Sequence, residues 1–192
     1  MMYLELYNNI IYMLKIILLI ILGFGLVLCT LEKQKCKVIN NQTYCINEDS
    51  STSRYEYLTL IDTNFEKIIK HLEINHPKNN VTKRLVKNYK NKTKMSELYD
   101  KKKHIAFSKN KGEEVSICLD DSNLDKNVMM FIAIHELSHI ATEEVGHTDN
   151  FWSNMKFLLE CAVKLNIYIP QDYSKFPVTF CGYEIDKSPL YN

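Results

Sequence analysis

The stretch MMFIAIHELSHIATEEVGHTDNFW, Met129–Trp152, decides how this chain folds and what chemistry it can carry. Its centre is His135-Glu136-Leu137-Ser138-His139, an HExxH pattern. Residues four apart on an α-helix stack one turn above the other, so His135 and His139 can share one metal ion. Glu136 is turned by about 100° from His135, which aims its carboxylate at a water beside the metal and not at the metal itself. Val128 to Ile134, Leu137, Ile140 and Ala141 make this helix apolar around most of its circumference, the mark of a central, buried element. Two imidazoles and a carboxylate inside such a helix are costly unless something pairs with them, and a metal would do so. His147 is the expected third ligand. It follows Gly146, a residue type that ends helices by turning left-handed and would swing the chain back toward the metal. Glu160, on the following helix, is the competing third ligand.

These residues resemble a known group. HELSH, then Gly146-His147, then Phe151-Trp152, is similar to the active-site segment of the SprT-like and WLM zinc metallopeptidases. In those families an HExxH helix is followed by a short connection, a histidine ligand and an aromatic pair opening the next helix. The flanking ICLDD (117–121) and FCGYEIDKSP (180–189) resemble segments of uncharacterised metallopeptidase-like proteins of large DNA viruses. The resemblance covers about residues 104 to 190 and implies a zincin-like domain holding one Zn2+. The metzincin pattern HExxHxxGxxH does not apply, because its second and third histidines lie closer than His139 and His147.

At the start of the chain, Ile10 to Leu28 is apolar except for Lys15. Nineteen helical residues would match a hydrocarbon core of about 30 Å, with Lys15 and Tyr3, Tyr7 and Tyr12 at the interface. This predicts residues 1–30 as a single-pass membrane anchor in the lipid bilayer, with a cleaved signal peptide ending at Cys29 as the rival. Lys33, Lys35 and Lys37 follow the span, which favours a cytosolic catalytic domain. Sequons at Asn41, Asn80 and Asn91 point the other way, but a chain with 18 Asn, 20 Ile and 22 Lys against two Arg generates sequons by composition alone.

Residues 31–54 are poor in large apolar side chains and read as a juxtamembrane linker, leaving 55–192 as one domain of ordinary size. The periodicity predicts a packing helix over 55–74, ended by Pro77, then a more polar helix or helix pair over 81–99. His104–Ser108 and Val115–Leu119 read as a β-hairpin, the active-site helix starts near Lys126, a last helix spans 150–166, and 177–183 is extended. The fold class is therefore α+β: a small hairpin or sheet packed on a central HExxH helix, preceded by a transmembrane helix. Cys36 and Cys45 are placed to close a small loop under oxidising conditions. Cys118, Cys161 and Cys181 are expected to be scattered buried thiols.

Charge is uneven. Residues 31–111 hold 18 Lys and Arg against 9 Asp and Glu, whereas 112–192 hold 5 against 13. The run Lys78–Lys103 is a possible patch for nucleic acid or anionic lipid, but lysine without arginine suits bidentate phosphate recognition poorly. A solvated lysine-rich face is the plainer reading.

The expected activity is hydrolysis of peptide bonds in a protein or peptide substrate. Zinc on His135, His139 and His147 would acidify a water to a pKa of about 7, and Glu136 would take its proton. Tyr173, Tyr183 and His104 are candidates for stabilising the oxyanion. Two alternatives stay open: an inactive zinc-stabilised scaffold, and a hydrolase of a non-peptide amide.

Overall fold

The computed structural model describes residues 11–20, 34–89, 93–100, 104–119 and 124–191. The chain divides into two units, Met1–Lys33 and Gln34–Asn192. In the first, residues 11–20 are helical (α1) and largely exposed. This corrects the expectation of a membrane anchor. Among the described residues, no helix is long and apolar enough to cross a membrane, which takes about 20 apolar residues. The remainder of the expected span, residues 10 and 21–28, lies outside the described residues, as does Cys29.

The second unit is α+β. Its elements run β1 (Gln34–Ile39), β2 (Gln42–Asn47), α2 (Arg54–Asn75), α3 (Asn80–Asn88), β3 (Lys94–Glu97), β4 (Ala106–Lys109), β5 (Glu114–Ile117), α4 (Lys126–Ala141), α5 (Asp149–Lys164), β6 (Val178–Phe180) and β7 (Tyr183–Ile185). Five strands form one mixed sheet in the order β1-β2-β3-β5-β4; β6 and β7 form a separate antiparallel pair. β2, β3 and β5 are parallel neighbours, while β1 and β4 run antiparallel at the two edges. The core is filled from both layers: Leu58, Phe65 and Leu72 of α2, Ile46, Met95 and Val115 of the sheet, and Ile134 and Leu137 of α4 are fully buried.

Two segments depart from the expectations. Residues 34–47 are not a linker but the β1–β2 hairpin of the main sheet. Its turn, Asn40-Asn41, is left-handed at both positions (φ 50° and 63°), which asparagine tolerates. Residues 94–97 are a central parallel strand and not helix; Met95 and Leu98 are buried, but from the sheet. The hairpin expected at 104–119 is present as β4 and β5.

Cysteine pairing is also more extensive than expected. Cys36 and Cys45 face each other across β1 and β2 and are bonded, and Cys118 is bonded to Cys181, which ties the end of β5 to the β6–β7 hairpin. Among the described residues only Cys161 is a free, buried thiol. Disulfides persist in oxidising surroundings, which runs against the expected cytosolic side, and the described residues include no helix able to span a membrane, which runs against the expected single-pass location.

Candidate metal centre

The site is built on α4. Asp125 caps its N-terminus, accepting from the amides of Asn127 (2.7 Å) and Val128 (3.3 Å). The helix then runs through the core as its composition requires. It stops at Ala141, five residues before Gly146, because Thr142 turns extended while its amide and hydroxyl both bond back to the Ser138 carbonyl. Gly146 does adopt a left-handed conformation (φ 89°), but in the connecting loop and not at the helix end. One residue after His147, Thr148 caps α5 by accepting from the Phe151 amide at 3.3 Å, so the third histidine is held directly at a helix entrance.

This arrangement brings His135, His139 and His147 together. One ring nitrogen from each lies within 4.8 Å of the others, and the Nε2 atoms of His135 and His147 are 2.9 Å apart. Ligand nitrogens around a tetrahedral zinc stand about 3.3 Å apart, given Zn–N bonds of about 2.0–2.1 Å. The Phe151 ring packs beneath all three imidazoles, with centroid distances of 4.8, 4.4 and 4.8 Å. Trp152 stacks on His147 at 5.6 Å. The aromatic pair thus forms the floor and side of the cluster.

Electrostatics agree with a cation site. Burial, then the neighbouring imidazoles, pushes His135 down to about 3; burial, then His147 and Lys111, pushes His139 down to about 4. Both rings are neutral at ordinary pH, with lone pairs free to donate to a metal. Glu136 is only 4% exposed, and burial pushes its carboxyl up to about 8 although the hydroxyl and amide of Ser108 donate to it and pull it down. A nearby metal cation would favour the ionised carboxylate. Three convergent imidazoles, two of them held neutral by burial, beside a buried carboxyl therefore fit a metal ion, and the cluster can hold one.

The cluster opens on a cavity of about 550 Å³ bounded by the edge strand β4 (Ala106, Phe107, Ser108) and by the Val145–His147 loop. A smaller cavity of about 240 Å³ shares His104, His135 and Glu136 with the first and is also lined by Ile132 and Tyr183. His104 and Tyr183 are thus beside the chemistry. Tyr173 is not: it is fully buried, packs on Phe131 at 4.8 Å and accepts a 3.4 Å bond from Tyr168. Glu160 is exposed on α5 and does not belong to the histidine cluster. Of the Lys78–Lys103 run, residues 90–92 and 101–103 lie outside the described residues. Sequence reasoning did not single out Ser108 or Lys111. Both act through contacts made between β4–β5 and α4, and nothing in the local pattern marks them.

No family model matches the chain, and no solved structure matches it. Three viral proteins do. The chain is 43% identical over 58 residues to uncharacterized protein 042R of Invertebrate iridescent virus 3, covering 30% of this chain and 35% of that one. Against uncharacterized protein 136R of Invertebrate iridescent virus 6 the identity is 27% over 156 residues, covering 72% and 81%. Against uncharacterized protein R325 of Acanthamoeba polyphaga mimivirus it is 30% over 160 residues, covering 79% of this chain and 81% of the relative. With that identity sustained over most of both chains, the protein belongs to the same family as the mimivirus protein R325.

Proposed function

We propose that the chain is a zinc-dependent peptidase, with His135, His139 and His147 as metal ligands and Glu136 as general base. The observation that carries this reading is the convergence of three imidazoles next to a buried carboxyl at the wall of an open cavity. Zinc is favoured over other divalent ions by the donor set, three imidazoles at the wall of an open cavity. When bound, such an ion supplies a Lewis acid and a water acidified to about pKa 7.

The chain's own residues do the rest. Glu136 takes a proton at a carboxylate oxygen and returns it to the departing amine. The Ser108 hydroxyl and amide hold that carboxylate in one orientation and favour its charged form. His104 or Tyr183, from the adjoining cavity wall, is placed to donate to a developing oxyanion. Phe151 and Trp152 fix the ring planes of the ligands, so that little ordering remains to be done when the metal enters.

The test is cleavage of an unstructured protein such as casein by the zinc-loaded full chain, compared with Glu136→Gln. Cleavage that disappears in the zinc-loaded variant supports the peptidase reading. Zinc binding with no Glu136-dependent cleavage of any peptide leaves a scaffold or a non-peptide amide hydrolase in its place.

A further inference from the structure

Lys111 lies in the turn between β4 and β5, yet its ammonium group reaches the far end of the active-site helix. It donates to the backbone carbonyls of Thr142 (2.9 Å), Glu144 (2.6 Å) and His139 (3.3 Å). These carbonyls belong to the segment that leads from the second histidine to the third. A lysine ammonium has three donors, and here all three are used on that one segment. The His139 carbonyl is among the last four of α4, which have no partner within the helix and where positive charge is favoured.

The turn itself argues that the side chain is what matters. Asn110 and Lys111 are both left-handed (φ 47° and 56°), as in a tight hairpin turn whose second position suits glycine. A lysine there is strained, so backbone preference does not explain it. The next residue, Gly112, is wedged beneath: a Cβ on it would meet the Asn88 carbonyl oxygen at 2.8 Å and Ile140 at 3.3 Å. The turn is therefore seated against α3 and α4 and gives Lys111 a fixed base. Arg84 adds a longer contact to the Thr142 carbonyl at 3.4 Å. The segment it secures, residues 143–148, is exposed and outside any helix or strand.

We propose that Lys111 is a positioning residue for the metal centre: its ammonium clamps the 142–147 segment so that His147 is delivered to His135 and His139. The inference rests on the metal-binding reading above, but it concerns the order of the loop before metal arrives.

Lys111→Gly removes the ammonium and suits the left-handed backbone, so the turn is retained; Lys111→Asn, which also tolerates that conformation, is made alongside it. Zinc affinity is measured on the full chain by competition with a chromophoric chelator. Hydrogen exchange of residues 142–147 and the thermal midpoint are measured on metal-free protein. The expected result is zinc affinity lower by about 10–100-fold and faster exchange across 142–147, with the metal-free midpoint near that of the wild type. Wild-type affinity and wild-type exchange in both variants would overturn the proposal. Should the wild type bind no zinc, the functional reading fails by itself. Exchange across 142–147 then decides the role of Lys111, and unchanged protection overturns it.

Discussion

His135 and His147 face each other Nε2 to Nε2 at 2.9 Å, across the end of one helix and the start of the next. Two imidazole nitrogens in that position either share a proton or present lone pairs to a common guest. Burial holds His135 neutral, and Phe151 beneath the rings prevents them from turning away. The contact is therefore the clearest sign that the loop after α4 completes a cluster able to hold an ion.

Glu136 and Ser108 make a linked pair of predictions. Glu136→Gln keeps the shape of the side chain but cannot take a proton, so the zinc-loaded variant should lose about 10²–10⁴-fold in peptide hydrolysis while retaining its metal. Ser108→Ala removes a hydroxyl that favours the carboxylate, so Glu136 titrates higher and the acidic limb of the pH–rate profile moves up. Steady-state rates across pH for both variants check this; an unmoved limb in Ser108→Ala would contradict the role given to the hydroxyl.

The pH dependence of stability follows from the same groups. His135 and His139, near 3 and near 4 in the fold against 6.5 unfolded, bind fewer protons folded than unfolded. The metal-free chain therefore loses their contribution as pH falls from 6.5 toward 4. Glu136, at about 8 against 4.5, binds more protons when folded, so stability falls as pH rises from 4.5 through 8. Two histidines outweigh one carboxyl below about 6.5, and the carboxyl acts alone above it, which puts the maximum of these three contributions near pH 6.5. Each net proton is worth a slope of about 1.4 kcal/mol per pH unit. Urea denaturation of metal-stripped wild type and a Glu136→Gln variant isolates the carboxyl: the fall above about pH 6.5 should be absent from the variant.

The two disulfides should differ in what they contribute. Cys118–Cys181 spans 63 residues and Cys36–Cys45 spans 9. Loop-closure entropy gives about 4 kcal/mol for the longer and about 3 kcal/mol for the shorter. Replacing Cys118 and Cys181 by serine should therefore cost more stability, and it should also free the β6–β7 hairpin that carries Tyr183 to the cavity beside Glu136. Denaturation midpoints and hydrogen exchange at residues 178–185 measure both effects. A larger loss from the Cys36/Cys45 pair would contradict the ordering.

The HExxH helix was legible because its signals are local: apolar residues all around a helix, with ionisable ones four apart, leave few other readings. His147 was legible from the left-handed turn expected at Gly146, which the chain makes in the loop and not at the helix end. The β1–β2 hairpin was not, because β1 is an edge strand with exposed side chains and needs no apolar face, and only Tyr44, Cys45 and Ile46 of β2 are buried apolar residues. The strand Lys94–Glu97 looked helical because it is too short to show alternation and is buried at Met95, Ser96 and Glu97 alike. Tyr173 was drawn toward the site by sequence position, whereas packing on Phe131 places it in the core. Lys111 and Ser108 act across the fold, and pairwise contacts of that kind leave no periodic trace. Of the expected N-terminal span, residues 10 and 21–28 lie outside the described residues, and no described helix is long and apolar enough to cross a membrane.

The central claim is that the three histidines, and not Glu160, hold one metal ion. Its most direct test is elemental analysis of the full chain, since a shorter form beginning near residue 50 would lack β1 and β2. Wild type and Glu160→Ala are predicted to carry close to one zinc per chain after exposure to zinc and desalting, and His147→Ala to lose it. Metal absent from the wild type, or retained in His147→Ala and lost in Glu160→Ala, would contradict the account.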